Sequence, residues 1–292
     1  ISACLVGSEM CIRDRVQAMK PNIVSKGASG YVVGEVERFD QRNEMFSRSR
    51  WDPSLGELGK KLWTPEEPHE GIAGYSQRDY ALEDAAWYLP IAYAGGNYTS
   101  NKGLYSWDTK PWGVYGKPKT GVQLAVHDPA KMTKAIKRIA KLLGASLVKV
   151  CQLDRRWLYS HEHDLRTGEH YPIEVPEEYK YAIVLGYEMN EWLIRMSPAH
   201  SHGFGVGMAY TKMAVVSSEL AQFIRLIGYK AIPMGNDTAN SIPLAIDAGL
   251  GELGRLGLLI SPEYGPRIRL SKVFTNLPLV TDRPIEFGVW DF

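Results

Sequence analysis

Three side chains toward the C-terminal end of the chain could carry chemistry: Tyr210 as a proton donor, Arg269 as its charged partner and Asn236 at a ligand site. A phenol has an ordinary pKa of about 10 and keeps its proton at neutral pH. It releases that proton when the phenolate is stabilised. A guanidinium about 4 Å away contributes on the order of 4 kcal/mol at an intermediate dielectric. The pattern therefore predicts Tyr210 as an acid and Arg269 as its electrostatic partner.

The elements predicted around these residues leave a structural alternative for each. Tyr210 shares the apolar face of a helix with Met213 and Leu220, so it also fits an ordinary core tyrosine. Asn236 follows a strand and precedes a helix, where α/β proteins place ligand sites, although Gly-Asn-Asp-Thr is also a common connection. Arg269 alternates with apolar residues on a strand and fits a surface position as well as a buried one.

Glycines at Gly249, Gly251 and Gly254 match the spacing G-x-G-x-x-G. A nicotinamide dinucleotide site needs a strand immediately before such glycines and a helix immediately after them. Here a short helix precedes them and a predicted strand, 256–260, follows. The spacing is therefore better explained by backbone approaching a bulky ligand, or by the end of a helix.

Histidines and cysteines give no predicted metal centre. The histidine pairs within 161–163 and 200–202 have no matched third ligand in the sequence. The cysteines are Cys4, Cys11 and Cys151, which are too few for a disulfide framework. A 4Fe–4S cluster needs four thiolates, so these residues cannot hold one.

Length and charge exclude several broad classes. The chain has 292 residues, 45% of them hydrophobic, which is enough for a sizeable core of one or two domains. A net charge of +1 creates no field that would gather nucleic acid or anionic lipid. The apolar runs are shorter than the roughly 20 residues that span a bilayer.

The first part of the chain is irregular. Residues 1–15 resemble translated sequencing-adapter read-through and are set aside from the fold. Residues 16–125 form a predicted wrapping region with five of the eight tryptophans: Trp51, Trp63, Trp87, Trp107 and Trp112. One helix is predicted here from Ser76 to about Leu89, with Ser76 and Asp79 as its cap and Pro90 as its end.

Residues 126–292 alternate helices and strands, which predicts an α/β (α+β) core in layers. A helix is expected between the cap Asp128 and Gly144, with Leu142 in its buried stripe. A later helix is expected over 205–227, and a short one capped by Asp237 or Thr238 ends at Gly249. Strands are expected over 146–153, 181–187, 230–234, 256–260 and 267–275, the second of them buried on both faces.

Five segments carry a longer pattern: AYTKM at 209–213, SELAQFIRLIGYKAIP at 218–233, NDTANSIPLAIDAGLGELGR at 236–255, SPEYGPRIRL at 261–270 and KVFTNLPL at 272–279. Together they resemble the catalytic subunit of corrinoid-dependent reductive dehalogenases. The resemblance is close over 205–292 and looser over 35–204. It implies a nitroreductase-like core that binds a corrinoid, followed by a ferredoxin-like domain with two 4Fe–4S clusters.

The resemblance also implies roles for individual residues. Tyr210 matches the proton donor of the family, Asn236 a residue lining the same pocket, and Arg269 the basic residue that polarises the tyrosine. Contacts to the corrinoid are implied for two further groups, the glycines Gly249, Gly251 and Gly254 and the turn residues Ser261, Tyr264 and Arg267.

The implied reaction replaces a carbon–halogen bond of an organohalide by carbon–hydrogen, using two electrons and one proton. Family members work with a low-potential electron donor and a membrane-anchor subunit. They lie on the outer face of the cytoplasmic membrane after export by a twin-arginine signal. That signal and the cluster cysteines are expected beyond the residues printed here, so the chain as it stands is not expected to turn over with a natural electron donor.

Three alternatives remain open at this point. An epoxyqueuosine reductase-like enzyme shares the corrinoid core but acts on transfer RNA, and it would be expected to have a carboxylate in place of Tyr210. A non-catalytic corrinoid-binding protein would never have had clusters. A nicotinamide-dependent dehydrogenase would bind NADH, which direct titration would reveal.

Overall fold

The structure is a computed structural model and describes residues 21–64, 67–95, 99–108 and 121–291. The interpretation of residues 1–15 and the prediction for Trp112 lie outside the described residues. Within the described ranges, no helix is long and apolar enough to cross a membrane. The boundaries proposed for the wrapping region and the core stay predictions.

The described α-helices are, in chain order, α1 (Met45–Trp51), α2 (Gly56–Leu62), α3 (Gln77–Ala94), α4 (Pro129–Leu143), α5 (Glu191–Arg195), α6 (His200–Leu226) and α7 (Ser241–Asp247). The described strands are β1 (Asn22–Ile23), β2 (Leu147–Gln152), β3 (His161–His163), β4 (His170–Pro172), β5 (Tyr181–Glu188), β6 (Ala231–Met234), β7 (Glu252–Leu253), β8 (Leu259–Ile260), β9 (Ile268–Thr275) and β10 (Ile285–Glu286).

A four-stranded sheet in the order β2-β5-β9-β6 lies at the centre of the molecule. All three pairings are antiparallel, so the fold is a mixed α+β architecture rather than a wound parallel sheet. Strand β5 is buried on both faces, as predicted. The reason is that helices cover the sheet on each side: α7 packs on the face that carries Val184, and α4 and α6 pack on the face that carries Ile183.

Helix α3 shows why one predicted boundary is wrong. Its start is confirmed, because Ser76 and Asp79 form the predicted capping box. Pro90 does not end it, and the helix continues to Ala94 before Gly95 adopts a left-handed conformation. Proline lacks the N–H that would bond to the carbonyl of Ala86. The hydroxyl of Thr211 in α6 donates to that carbonyl at 2.9 Å, so the missing bond is replaced from the neighbouring helix.

Helix α4 begins and ends where the sequence predicts. Asp128 accepts hydrogen bonds from two backbone amides at its start, and Gly144 is left-handed at its end. The expectation that Leu142 is buried is wrong, since this side chain is 77% exposed. Its neighbours Ile136 and Ala140 supply the buried stripe instead.

Two features of the segment around α7 differ from prediction: the start of the helix and the length of the strand that comes after it. The helix begins after Asn240, so neither Asp237 nor Thr238 is its cap. The Asp237 carboxylate instead turns back and accepts from the amide of Gly235 at 2.7 Å. The expected strand 256–260 shortens to β8, because the backbone turns between Gly254 and Gly257.

Gly249, which follows α7, provides a test of this packing. Its φ is +76°, and a Cβ atom there would overlap the carbonyl oxygen of Arg283. We expect Gly249→Ala to lower the free energy of unfolding by more than Gly257→Ala does. Gly257 has a φ of +74° and open space around it. Gly257→Ala therefore measures the cost of the backbone strain alone, without the overlap. The expected difference in urea denaturation is about 1–3 kcal/mol, and equal losses would contradict the overlap.

Candidate active site

Tyr210 lies at the meeting point of helices α3 and α6 and strand β9, and it is 3% exposed. Asn236 donates from Nδ2 to its phenol oxygen at 2.9 Å. The guanidinium carbon of Arg269 lies 5.1 Å from the centre of its ring, and the ring of Trp87 lies 4.7 Å away. The structure thus brings together the three residues that the sequence singles out, and it adds Trp87.

Each of these side chains is placed by its own element. Tyr210 occupies the buried face of α6. Arg269 is on β9, where alternation sends Ile268 and Leu270 toward α7 and Arg269 toward α6. Asn236 is carried by the turn after β6, in which Thr238 takes a φ of +65°. Gly207 of α6 lets Trp87 approach, because a Cβ atom there would come within 3.0 Å of the indole.

Two polar groups surround the phenol of Tyr210, the amide of Asn236 and the guanidinium of Arg269. An N–H donated by Asn236 stabilises the charge that grows on the oxygen as the proton leaves. The positive charge of Arg269 on the ring acts in the same direction. Within the described part of the chain, Arg269 Nε is buried without a hydrogen-bond partner. It is therefore available to a group that enters the site.

A cavity of about 320 Å³ adjoins this cluster. Asn236 and Arg269 line it, together with the apolar side chains of Ile242, Leu258 and Ile268. Tyr210 does not line the cavity itself but contacts two residues that do. The volume is in the range of sites for small organic molecules.

A second phenol, that of Tyr159, lines the same cavity. Burial raises its pKa, and the nearby charge of Glu44 raises it further. Both effects make Tyr159 a weaker acid. Tyr210 differs from Tyr159 in having an amide donor on its oxygen and a cation at its ring.

The turn that carries Asn236 is built around a buried lysine that sequence reasoning missed. Lys272 of β9 is fully buried. Its ammonium group donates to the carbonyls of Gly235 at 2.5 Å and Ala239 at 2.9 Å, and to Ser241 Oγ at 3.0 Å. The pattern of β9 contained the signal, because alternation places this lysine on the apolar face of Leu270 and Phe274.

The carboxyl group of Asp237 is buried in the same turn. Burial raises its pKa even though the charge of Lys272 opposes this, and burial lowers the pKa of Lys272. Each group thus loses solvation that the other only partly replaces. The two charges and the carbonyls around them hold the turn in one conformation.

The glycines with predicted corrinoid contacts are explained by packing within the chain. A Cβ atom at Gly249 or Gly251 would overlap a carbonyl oxygen, of Arg283 or Ile260 respectively. At Gly254 it would lie 2.8 Å from the Ile260 side chain. The short strand β7 lies between Gly251 and Gly254, where a dinucleotide site would have the start of a helix. Their role toward a corrinoid stays a prediction.

The turn residues are likewise engaged within the chain. Ser261 Oγ accepts from the amide of Tyr264 at 3.0 Å. Arg267 donates to the carbonyl of Met189 at 2.8 Å and pairs with Glu188 at 3.3 Å. These contacts hold the start of β9 against the end of β5, and corrinoid contacts at Ser261, Tyr264 and Arg267 stay predictions.

The expectation that the histidines of 161–163 lack further ligands nearby is wrong. The fold places His170 and Asp40 beside His161. No sequence spacing indicates this group, because Asp40 lies far from the hairpin along the chain.

No family model matches the chain. It is 34% identical to the tetrachloroethene reductive dehalogenase of Sulfurospirillum multivorans over 75% of this chain and 49% of that protein. It is 33% identical to the tetrachloroethene reductive dehalogenase of Dehalobacter restrictus over 75% of this chain and 50% of that protein. The chain therefore spans about half the length of the curated relatives it matches.

Solved structures give the same fold. A reductive dehalogenase structure described as suggesting a mechanism for B12-dependent dehalogenation matches with a TM-score of 0.64 at 22% identity, over 94% of this chain and 36% of that one. A catabolic reductive dehalogenase in complex with 3-bromo-4-hydroxybenzoic acid matches with a TM-score of 0.63 at 22% identity, over the same shares. A shorter match, 43% identical over 47 residues, is to the epoxyqueuosine reductase of Lactococcus garvieae, covering 16% of this chain and 13% of that protein.

The buried lysine gives a prediction on stability. We expect Lys272→Met to lower the free energy of unfolding by about 3–5 kcal/mol, because it leaves the charge of Asp237 buried without its partner. Adding Asp237→Asn should recover at least about 1 kcal/mol of that loss. Lys230→Met, at an exposed ion pair with Glu178, is the control and should cost less than about 1 kcal/mol.

Urea denaturation of the four proteins measures these differences. A loss for Lys272→Met no larger than that for Lys230→Met would show that the buried charge does not stabilise the turn. A double variant no more stable than Lys272→Met would show that the two side chains act separately.

Proposed function

This chain is a relative of the reductive dehalogenases, and from that premise we propose that it forms the substrate and corrinoid side of an organohalide-reducing enzyme. The observation that carries the proposal is the contact of Tyr210 with both Asn236 and Arg269 beside a largely apolar cavity. An acid held next to an apolar site is what the protonation of a dehalogenated carbon requires.

The proposed reaction is balanced with two electrons and one proton. The carbon–halogen bond breaks, the halogen leaves as halide, and the carbon takes a proton to form the new carbon–hydrogen bond. Tyr210 supplies that proton from its phenol oxygen. Asn236 and Arg269 stabilise the phenolate until the proton is replaced from solvent.

The residues around the cavity are of the chemical types that could bind a corrinoid. Ile242, Leu258 and Ile268 offer an apolar wall to a flat macrocycle. The buried Nε of Arg269, without a partner among the described residues, offers a donor to a polar group. A reduced corrinoid, when bound, supplies the electrons that break the carbon–halogen bond. The protein residues bind, exclude water and hold the proton.

The wider setting is part of the same proposal and rests on the family resemblance. Two 4Fe–4S clusters deliver electrons, a low-potential donor reduces them, and a membrane-anchor subunit holds the enzyme at the outer face of the cytoplasmic membrane. The substrate is a small organohalide.

One observation argues against an epoxyqueuosine reductase-like function. Its acid is expected to be a carboxylate, whereas the side chain that meets Asn236 and Arg269 here is the phenol of Tyr210. A non-catalytic corrinoid-binding protein would bind the cofactor without raising halide release above that of the free reduced corrinoid.

The proton donor can be tested on the chain itself. The chain is reconstituted with a corrinoid, reduced chemically with titanium(III) so that no cluster is needed, and supplied with tetrachloroethene or 3-bromo-4-hydroxybenzoate. We expect Tyr210→Phe to lower halide release at least about 100-fold, the usual contribution of a positioned acid. Corrinoid binding, followed by its visible spectrum, should not change.

Tyr88→Phe serves as the control, because Tyr88 is an exposed tyrosine on α3. Its halide release should equal that of the unmodified chain. Full activity of Tyr210→Phe would assign the proton to another group. Corrinoid binding by the unmodified chain with no more halide release than from the free reduced corrinoid would favour the non-catalytic alternative.

A further inference from the structure

One face of the β3–β4 hairpin gathers imidazole groups. His161 and His163 are two residues apart on β3, so their side chains point to the same side of the strand. His163 pairs directly with His170 of β4, which places His170 on that side as well. Glu162 points the other way, where it accepts from the hydroxyl of Tyr171 at 2.6 Å.

A carboxylate reaches this face from the N-terminal part of the chain. Asp40 forms a parallel bridge with His161, and the amide of Ser160 donates to the carbonyl of Phe39 at 2.9 Å. Both carboxylate oxygens of Asp40 contact His170 Nε2, at 3.0 and 3.1 Å. The amide of Arg42 donates to the same carboxylate at 2.9 Å, which fixes its direction.

These groups have the spacing of metal ligands. Asp40, His161 and His170 each offer one ligand atom, and the three atoms lie within 4.8 Å of one another. A zinc ion binds such atoms at about 2.0–2.2 Å, so small side-chain rotations would close the site. His161 Nδ1 contacts Ser160 Oγ at 3.2 Å, which leaves its other nitrogen for an ion and orients the ring.

An ion pair alone does not account for the arrangement. It would explain the contact of Asp40 with His170, but the ring of His161 also stacks on that of His170, with centres 4.8 Å apart. His163 stands beside them, 7% exposed, and its Nδ1 is buried without a hydrogen-bond partner in the described part of the chain.

We propose that Asp40, His161 and His170 bind a divalent transition metal of the zinc class. Two imidazoles and one carboxylate suit such an ion, whereas magnesium and calcium prefer ligand sets made of oxygen alone. The ion joins the segment that carries Asp40 to the β3–β4 hairpin. Because Gln41 and Glu44 line the cavity just after Asp40, the metal also fixes one wall of the candidate active site. The inference does not depend on the reaction proposed above.

Equilibrium dialysis of the full chain tests this directly. The protein is prepared without an oligohistidine tag, stripped with EDTA, and dialysed against Zn²⁺ or Ca²⁺ before the bound metal is measured. We expect one Zn²⁺ per chain, no Ca²⁺, and a higher melting temperature with Zn²⁺. Asp40→Asn and His170→Ala should each weaken Zn²⁺ binding at least about tenfold, since each removes one ligand.

His127→Ala is the matched control, because His127 is exposed and is not part of the group of possible metal ligands. It should bind Zn²⁺ as tightly as the unmodified chain. Asp40→Asn is nearly isosteric, so it keeps the test valid even where His170→Ala fails to fold. Absence of Zn²⁺ binding by the unmodified chain, or full binding by Asp40→Asn, overturns the proposal.

Discussion

The buried ammonium group of Lys272 is the interaction on which the candidate site depends. A cation without solvent needs compensating oxygen atoms, and here they come from the turn after β6 and from Ser241 at the start of α7. The ammonium group of Lys272 therefore holds the residues of this turn in place through several hydrogen bonds. Asn236 lies between Gly235 and Ala239, whose carbonyls both accept from Lys272. Lys272 thus helps to fix the amide that donates to Tyr210.

The antiparallel sheet explains how a single strand serves both sides of the molecule. Successive residues of β9 point to opposite faces, so Arg269 reaches α6 and Lys272 reaches the α7 side, only three positions apart. Helices cover both faces, so Lys272 is fully buried, while Arg269 stays partly exposed at the cavity. A register shift of one residue would exchange the faces and lose both contacts together.

Local signals in the sequence are enough for much of the fold and for part of the site. The cap at Asp128 and the glycine at Gly144 predict α4 correctly because the energy that sets its ends comes from adjacent residues. Lys272 was within reach of the same reasoning, through its place in the alternation of β9. Trp87 and the pairing of Asp40 with His170 were not, since those contacts join segments distant in sequence and no periodicity encodes them.

Pro90 and Thr211 together fix how far helix α3 is shifted along helix α6. The proline leaves one carbonyl on α3, that of Ala86, without its usual donor, and the threonine hydroxyl of α6 meets that carbonyl. Sliding either helix by a turn would separate the pair and leave a polar atom unsatisfied. Trp87 directly follows Ala86 and Tyr210 directly precedes Thr211, so this hydrogen bond also holds the two aromatic rings next to each other. Positions 90 and 211 are thus expected to covary among relatives, because a change at one removes the need for the other.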